Sequence, residues 1–139
     1  MVEVISTLGY YNERARKEEI AKYTSPKLED LAADDPDAVF VAYAHEEPIG
    51  FCISRYDDGL IWLSWFGVKN GHRRVGVGTA LLRAMIGTVR RRQCHKVWCD
   101  SRTSNKESEI VLGQAGFRKI CEVKNHWYGQ DFFLWERSL

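Results

Sequence analysis

The chain has 139 residues, which is room for one domain burying about two-thirds of its unfolded surface and for no second domain. Its 20 lysines and arginines nearly balance 19 aspartates and glutamates, so bulk charge points to no nucleic acid or membrane partner, and no apolar run approaches the roughly 20 residues that cross a bilayer. Cys52, Cys94, Cys99 and Cys121 form no Cys-x-x-Cys pair and the 4 histidines no His-x-x-x-His, which argues against a metal site and a disulfide framework and makes a cytoplasmic protein with reduced thiols the expectation.

Val2 to Leu8 reads as a short first strand, and Tyr11 to Tyr23 as a charged helix with Ala15, Ile20 and Ala21 among its few apolar positions. Ser25-Pro26 opens a second helix, the proline presetting φ in its first turn, and Asp34-Asp35-Pro36-Asp37 breaks it. Val39 to Ala44 and Ile49 to Tyr56 flank Glu46-Glu47-Pro48 as a hairpin, after which Asp57-Asp58-Gly59 turns into a strand from Leu60 to Val68. That strand hardly alternates, which predicts cover on both faces and a central place in the sheet.

A helix from Val77 puts Gly78, Leu81, Leu82, Met85 and Val89 on one face, at offsets 0, 3, 4, 7 and 11. Arg90-Arg91-Arg92 at its end suits the negative helix terminus and solvent; no aromatic stacking platform accompanies it as nucleic-acid binding would need. Lys96 to Asp100 reads as a strand and Lys106 to Gln114 as a helix ended by Gly116. Phe117 to Val123 and Phe132 to Glu136 read as a last antiparallel pair. Trp62, Trp65, Trp98 and Trp135 fall inside strand patterns and read as mostly core.

The chemistry concentrates where the Leu60–Val68 strand meets the next helix, at Arg73-Arg74-Val75-Gly76-Val77-Gly78-Thr79. Gly76 and Gly78 remove side chains that would hold a ligand off the backbone, so the first N–H groups of the helix can donate to pyrophosphate oxygens with the helix dipole behind them. Arg73 and Arg74 add positive charge at the same anion. The pattern is neither the dinucleotide fingerprint, which needs a third glycine and a later acidic residue, nor a P-loop, which ends in Gly-Lys-Ser/Thr.

This turn resembles the Arg/Gln-x-x-Gly-x-Gly/Ala coenzyme A motif of the GNAT N-acetyltransferase superfamily. A second segment supports the resemblance: Asn105 is followed eleven residues later by Gly116-Phe117, as in that family, and Asp100-Ser101-Arg102-Thr103-Ser104-Asn105 resembles the Glu-Val-Arg-Ala-Ser-Asn segment of its protein N-terminal acetyltransferases. The resemblance spans roughly Val39 to Arg137. It implies a single α+β GNAT domain with a central mixed, mostly antiparallel sheet of about 6 to 7 strands and helices on both faces.

It also implies acetyl-CoA as co-substrate, no metal, and direct attack by a primary amine of a small molecule or of a peptide or protein N-terminus. Phe66, Gly67 and Val68 would pair with the pantetheine arm, with a backbone N–H near Gly67 or Val68 stabilising the thioester oxygen. Arg73, Arg74, Val75, Gly76, Val77, Gly78 and Thr79 would hold the pyrophosphate. Asn105, by type a helix N-cap, would also bond the pantetheine. An amine with a pKa of about 8 to 10 is protonated at neutral pH, so a base is needed. Asp100 stands where relatives carry a glutamate and is the candidate, acting through water; the alternative is a strand-end or capping carboxylate. Leu112 stands where many relatives place the tyrosine that protonates the CoA thiolate, which leaves Tyr128 or water as the acid. His126-Trp127-Tyr128 falls in the turn that the resemblance puts beside the acceptor pocket, unless it only caps the core. The missing tyrosine also fits a non-catalytic CoA-binding domain. The family's habits allow a homodimer.

Overall fold

The computed structural model describes residues 1–139, in five α-helices and six strands. The expected first strand is a correction: its residues form helix α1 (Val2–Ser6). β-branched side chains favour a strand locally, but Val4, Ile5 and Leu8 lie one and four residues apart, so a turn of helix directs all three into the core. Helix α2 (Glu13–Lys22) begins at Asn12, whose Oδ1 accepts from the Ala15 N–H at 2.8 Å. Helix α3 (Ser25–Asp34) carries its proline in the first turn, as expected.

The strands β1 (Val39–Ala44), β2 (Glu47–Asp57), β3 (Leu60–Val68), β4 (Lys96–Arg102), β5 (Arg118–Val123) and β6 (Phe132–Ser138) form one sheet in the order β1-β2-β3-β4-β6-β5. Only β3 and β4 are parallel; every other pair is antiparallel. Helices α4 (Val77–Arg91) and α5 (Lys106–Gln114) cover one face, where Leu81, Leu82, Met85, Val89 and Leu112 pack on Ile61, Leu63, Val97 and Cys99. On the other face α1 and α2 bring Val4, Ile5, Tyr11 and Ala15 onto Phe51, Ile53 and Trp65. The covering of β3 on both sides is what its unbroken apolar run predicts.

Two irregularities position the site. The β2–β3 register shifts so that Ile53 pairs with Trp65 and Ser54 with Leu63, which leaves Ser64 as a bulge. The bulge reverses the alternation: Ile61 and Leu63 belong to the α4 side, whereas Trp65 packs with α1 and α2. In the same place the β3–β4 ladder stops, with Leu63 opposite Cys99 the last pair, although both strands continue. Trp65–Val68 and Asp100–Arg102 therefore diverge, and a gap opens in the middle of the sheet.

Trp65 and Trp135 are buried as expected, but Trp62 and Trp98 are half-buried. The arginines ending α4 do more than face solvent. Arg92 Nη1 donates to Asp35 Oδ2 at 2.9 Å, its Nη2 bonds Asp35 Oδ1, and its Nε reaches Asp37 Oδ2 at 3.4 Å; Arg91 donates to Asp37 at 2.9 Å. They clamp α4 to the turn entering β1. All four cysteines are free thiols, and no helix is long and apolar enough to cross a membrane.

Candidate active site

One side of the sheet gap holds a cavity of about 350 Å³. Phe66, Gly67 and Val68 at the end of β3, Arg73, Arg74, Gly76, Gly78 and Thr79 of the following turn, and Asn105 at the start of α5 all line it. The sequence therefore placed nine cofactor candidates on one surface. Val75 and Val77 are the exceptions: Val75 is 74% exposed, and Val77, the first residue of α4, packs against the core. Neither side chain lines the cavity.

The turn is shaped by left-handed backbone at Arg74 (φ 61°) and Gly76 (φ 91°). Gly76 is the N-cap of α4, and the Ala80 N–H is the one that bonds back to its carbonyl, at 2.9 Å. The N–H groups of Val77, Gly78 and Thr79 precede the first possible intrahelical bond and present positive dipole ends. A Cβ built on Gly78 would lie 3.8 Å from both Val111 and Val68, so the protein itself has space there for a methyl.

Arg73 also has partners within the protein. Its Nε donates to the Val68 carbonyl at 2.9 Å, and its Nη1 lies 3.5 Å from Glu107 Oε2. It pins the end of β3 and links it to α5, leaving Arg74 as the exposed, unpaired guanidinium of the turn. Asn105 is buried and bonds Ser108 twice: Oδ1 accepts from the backbone N–H at 3.1 Å, and Nδ2 donates to Oγ at 2.6 Å. The N-cap reading is thus realised.

A second cavity, of about 460 Å³, lies across the gap under α2 and the β5–β6 turn. It shares Phe66 and Ser108 with the first, so the two meet at the divergence of β3 and β4. Asp100 and Tyr128 line this second cavity, with Trp62, Trp65, Trp127 and Phe132 as aromatic walls. Trp127 Nε1 donates to Asp100 Oδ2 at 2.8 Å, and His126 Nε2 is 4.0 Å from the same oxygen. Burial pushes the Asp100 carboxyl above its ordinary range, partly opposed by the Trp127 hydrogen bond and by His126. Its Oδ1 accepts from no protein donor.

The Tyr128 hydroxyl donates to Glu19 Oε1 at 2.9 Å and is pushed up to about 12, first by burial and then by that carboxylate. Its own φ is 57°, and its carbonyl is held by Asn12 Nδ2 at 3.0 Å. Tyr128 thus ties the β5–β6 turn to α2, and it can reach a thiolate only by leaving Glu19. Leu112 is fully buried among the α4 side chains and lines neither cavity.

Sequence reasoning missed Glu19, Ser108 and Arg102. Glu19 sits on a helix whose charges look alike in sequence, and only the fold singles it out. Ser108 and Arg102 lie inside recognised motifs, but their roles depend on contacts from distant parts of the chain: Arg102 Nε donates to Gln130 Oε1 at 2.8 Å, and its guanidinium lies 3.8 Å from the Tyr11 ring centroid. No group of three or more His, Cys, Asp or Glu side chains is placed to hold a metal ion.

The family model described as Acetyltransferase (GNAT) family matches residues 6–117. An N-alpha-acetyltransferase of Sulfurisphaera tokodaii is 30% identical over 70% of this chain and 66% of its own length, so the chain spans about two-thirds of that relative. An aminoglycoside N(6')-acetyltransferase type 1 of Klebsiella aerogenes is 28% identical over 76% of this chain and 72% of its own. In fold, the chain is similar to the NatC complex bound to Gag peptide and CoA, with a TM-score of 0.79 over 99% of this chain and 86% of that one at 14% identity.

Proposed function

The chain belongs to the acetyltransferase (GNAT) family, and from that premise we propose that this acetyl-CoA-dependent N-acetyltransferase acts on the α-amino group of a peptide or protein N-terminus. The observation that carries the choice of acceptor is the charge of the second cavity. Glu19 and Asp100 are opposed there by Lys22, Arg55 and Arg102, with aromatic side chains between them. An aminoglycoside carries several ammonium groups and calls for a wall dominated by carboxylates, whereas a peptide end offers one ammonium among neutral amides. This choice agrees with the name of the N-alpha-acetyltransferase relative rather than with that of the aminoglycoside enzyme.

In this reading Arg74, Gly76 and the first N–H groups of α4 hold the pyrophosphate, and Gly78 keeps the helix start open to it. The edge of β3 from Trp65 to Val68 has no strand partner on the β4 side and receives the pantetheine amides. A backbone N–H near Gly67 or Val68 faces the thioester oxygen as it gains charge. Asp100, held at Oδ2 by Trp127, takes a proton from the acceptor ammonium through a water at Oδ1. Its raised pKa makes it a stronger base than an exposed aspartate. The freed amine attacks the thioester carbonyl across the Phe66–Ser108 junction; as the C–S bond breaks, CoA leaves as thiolate, and the proton shed by the new amide nitrogen passes to that thiolate or to water, so that with a thiol pKa of about 8.5 no dedicated acid is needed.

The test is thiol release from acetyl-CoA with short peptides of free α-amine, the same peptides with a blocked α-amine but free lysine, and an aminoglycoside. Release with the free α-amine alone is expected. Release with the aminoglycoside and none with peptides would overturn the choice of acceptor.

A further inference from the structure

Resting on the peptide reading, we propose that Arg102 is the specificity group of the acceptor cavity: its guanidinium donates to the carbonyl oxygen of the acceptor's first residue, on the second carbon from the reacting amine, so that α-aminoacyl acceptors are selected over simple amines. Arg102 is only 8% exposed, yet no carboxylate pairs with it. This sets it apart from the partly buried Arg92, which holds two aspartates, and from Arg73, which meets Glu107. A largely buried cation without an anion leaves its remaining N–H groups to whatever fills the cavity that it lines.

What surrounds Arg102 fixes its direction without neutralising it. Its guanidinium covers the Tyr11 ring at 3.8 Å and faces the Phe132 ring at 5.0 Å. Nε donates to Gln130 Oε1 at 2.8 Å, and Gln130 Nε2 in turn donates to the Tyr10 carbonyl at 2.9 Å, so the amide is oriented with its oxygen toward the arginine. That bond uses one of its five N–H groups, and a further one bonds the Tyr11 side chain. Beyond Tyr11, the Nη groups meet no protein acceptor, and the residue lines the cavity that contains Asp100.

The strand supplies the pairing. Asp100 and Arg102 are two apart on β4, so both project on the same side, with about 7 Å of strand between their Cα atoms. An anion that draws a proton through water and a cation with free donors thus stand next to each other. An α-aminoacyl group matches them, with its ammonium toward Asp100 and its carbonyl oxygen toward Arg102. An amine lacking that oxygen leaves the guanidinium desolvated and unpaired, and a polyamine adds repulsion. Sites built to bond a polar group discriminate strongly against analogues lacking it.

The experiment compares kcat/KM for alanyl dipeptide amide with that for isopropylamine, each corrected for its free-base fraction, in the wild type, Arg102→Gln and Arg102→Lys. CoA binding by calorimetry checks that each variant is folded. The wild type is expected to favour the dipeptide by at least about 10²-fold, and Arg102→Gln to reduce that ratio by about 10- to 100-fold, with Arg102→Lys between them. Because the ratio is internal to each preparation, a loss of folded protein does not move it, and Arg102→Lys keeps the charge and the ring contacts should the glutamine variant fail to fold. An unchanged ratio in the variants, with the wild type still preferring the dipeptide, would overturn the role of Arg102 while leaving the peptide reading standing. A wild type that acetylates isopropylamine and not the dipeptide would defeat both.

Discussion

Asp100 carries opposite consequences for stability and for activity. Burial raises its folded-state pKa above that of the unfolded chain. The folded protein therefore binds the proton more tightly, and stability falls as pH rises from the ordinary carboxylate range through the raised value. Above that window the burial of the carboxylate burdens folding, so Asp100→Asn should melt no lower than the wild type in a thermal scan, with any gain vanishing at acid pH where both carry no charge. The same variant should lose about 10²- to 10⁴-fold in turnover at neutral pH, recover partly as pH rises and more amine is free, and keep its CoA affinity. A wild-type pH–rate profile in Asp100→Asn would return this carboxylate to a structural role. The two glycines separate in a similar way. Gly76 has φ 91° with open space around its missing Cβ, so Gly76→Ala strains the backbone by about 1 kcal/mol or more. Gly78 has no such φ and ordinary contacts. Gly78→Ala should therefore keep the melting temperature and weaken CoA binding in a calorimetric titration, because its methyl stands where the ligand approaches.

Among the elements, those bounded by chemistry in their own sequence were legible and those decided by distant contacts were not. Helix α4 begins at Val77 and α5 spans Lys106–Gln114, as glycine and asparagine signals predict. Helix α1 was not legible, since its two core residues, Val4 and Ile5, suit a strand as well as one helical turn and only the face offered by Phe51 and Trp65 decides. The bulge at Ser64 has no local signal either, yet it ends the β3–β4 pairing and opens the gap. The arginines after α4 likewise look like solvent-facing charge until the β1 entry brings Asp35 and Asp37 to them. The side chains of Arg92 and Asp35 are each 25% exposed, so Arg92→Ala should destabilise the fold by about 1 to 2 kcal/mol in denaturant unfolding. Arg92 holds the Asp35 carboxyl below its usual range. The stability from this clamp is therefore present at neutral pH and is lost as pH falls through the depressed value.

For the molecule as a whole, the proposed cofactor half of the site could be placed from the sequence because its residues gather at one strand-to-helix turn, where glycine spacing reports backbone directly. The proposed acceptor half is assembled from α2, the far end of β4 and the β5–β6 turn, which no local pattern connects; Tyr128 to Glu19 and Trp127 to Asp100 are contacts across 109 and 27 residues. The central claim is that these halves form one continuous site whose second chamber takes a peptide end. It is tested most directly by calorimetry with a conjugate joining the CoA sulfur, through an acetyl bridge, to the α-amine of a short peptide. The conjugate should bind at least about 10²-fold more tightly than CoA alone, since the second chamber is engaged without a second loss of translational freedom. Affinity equal to that of CoA would contradict the account.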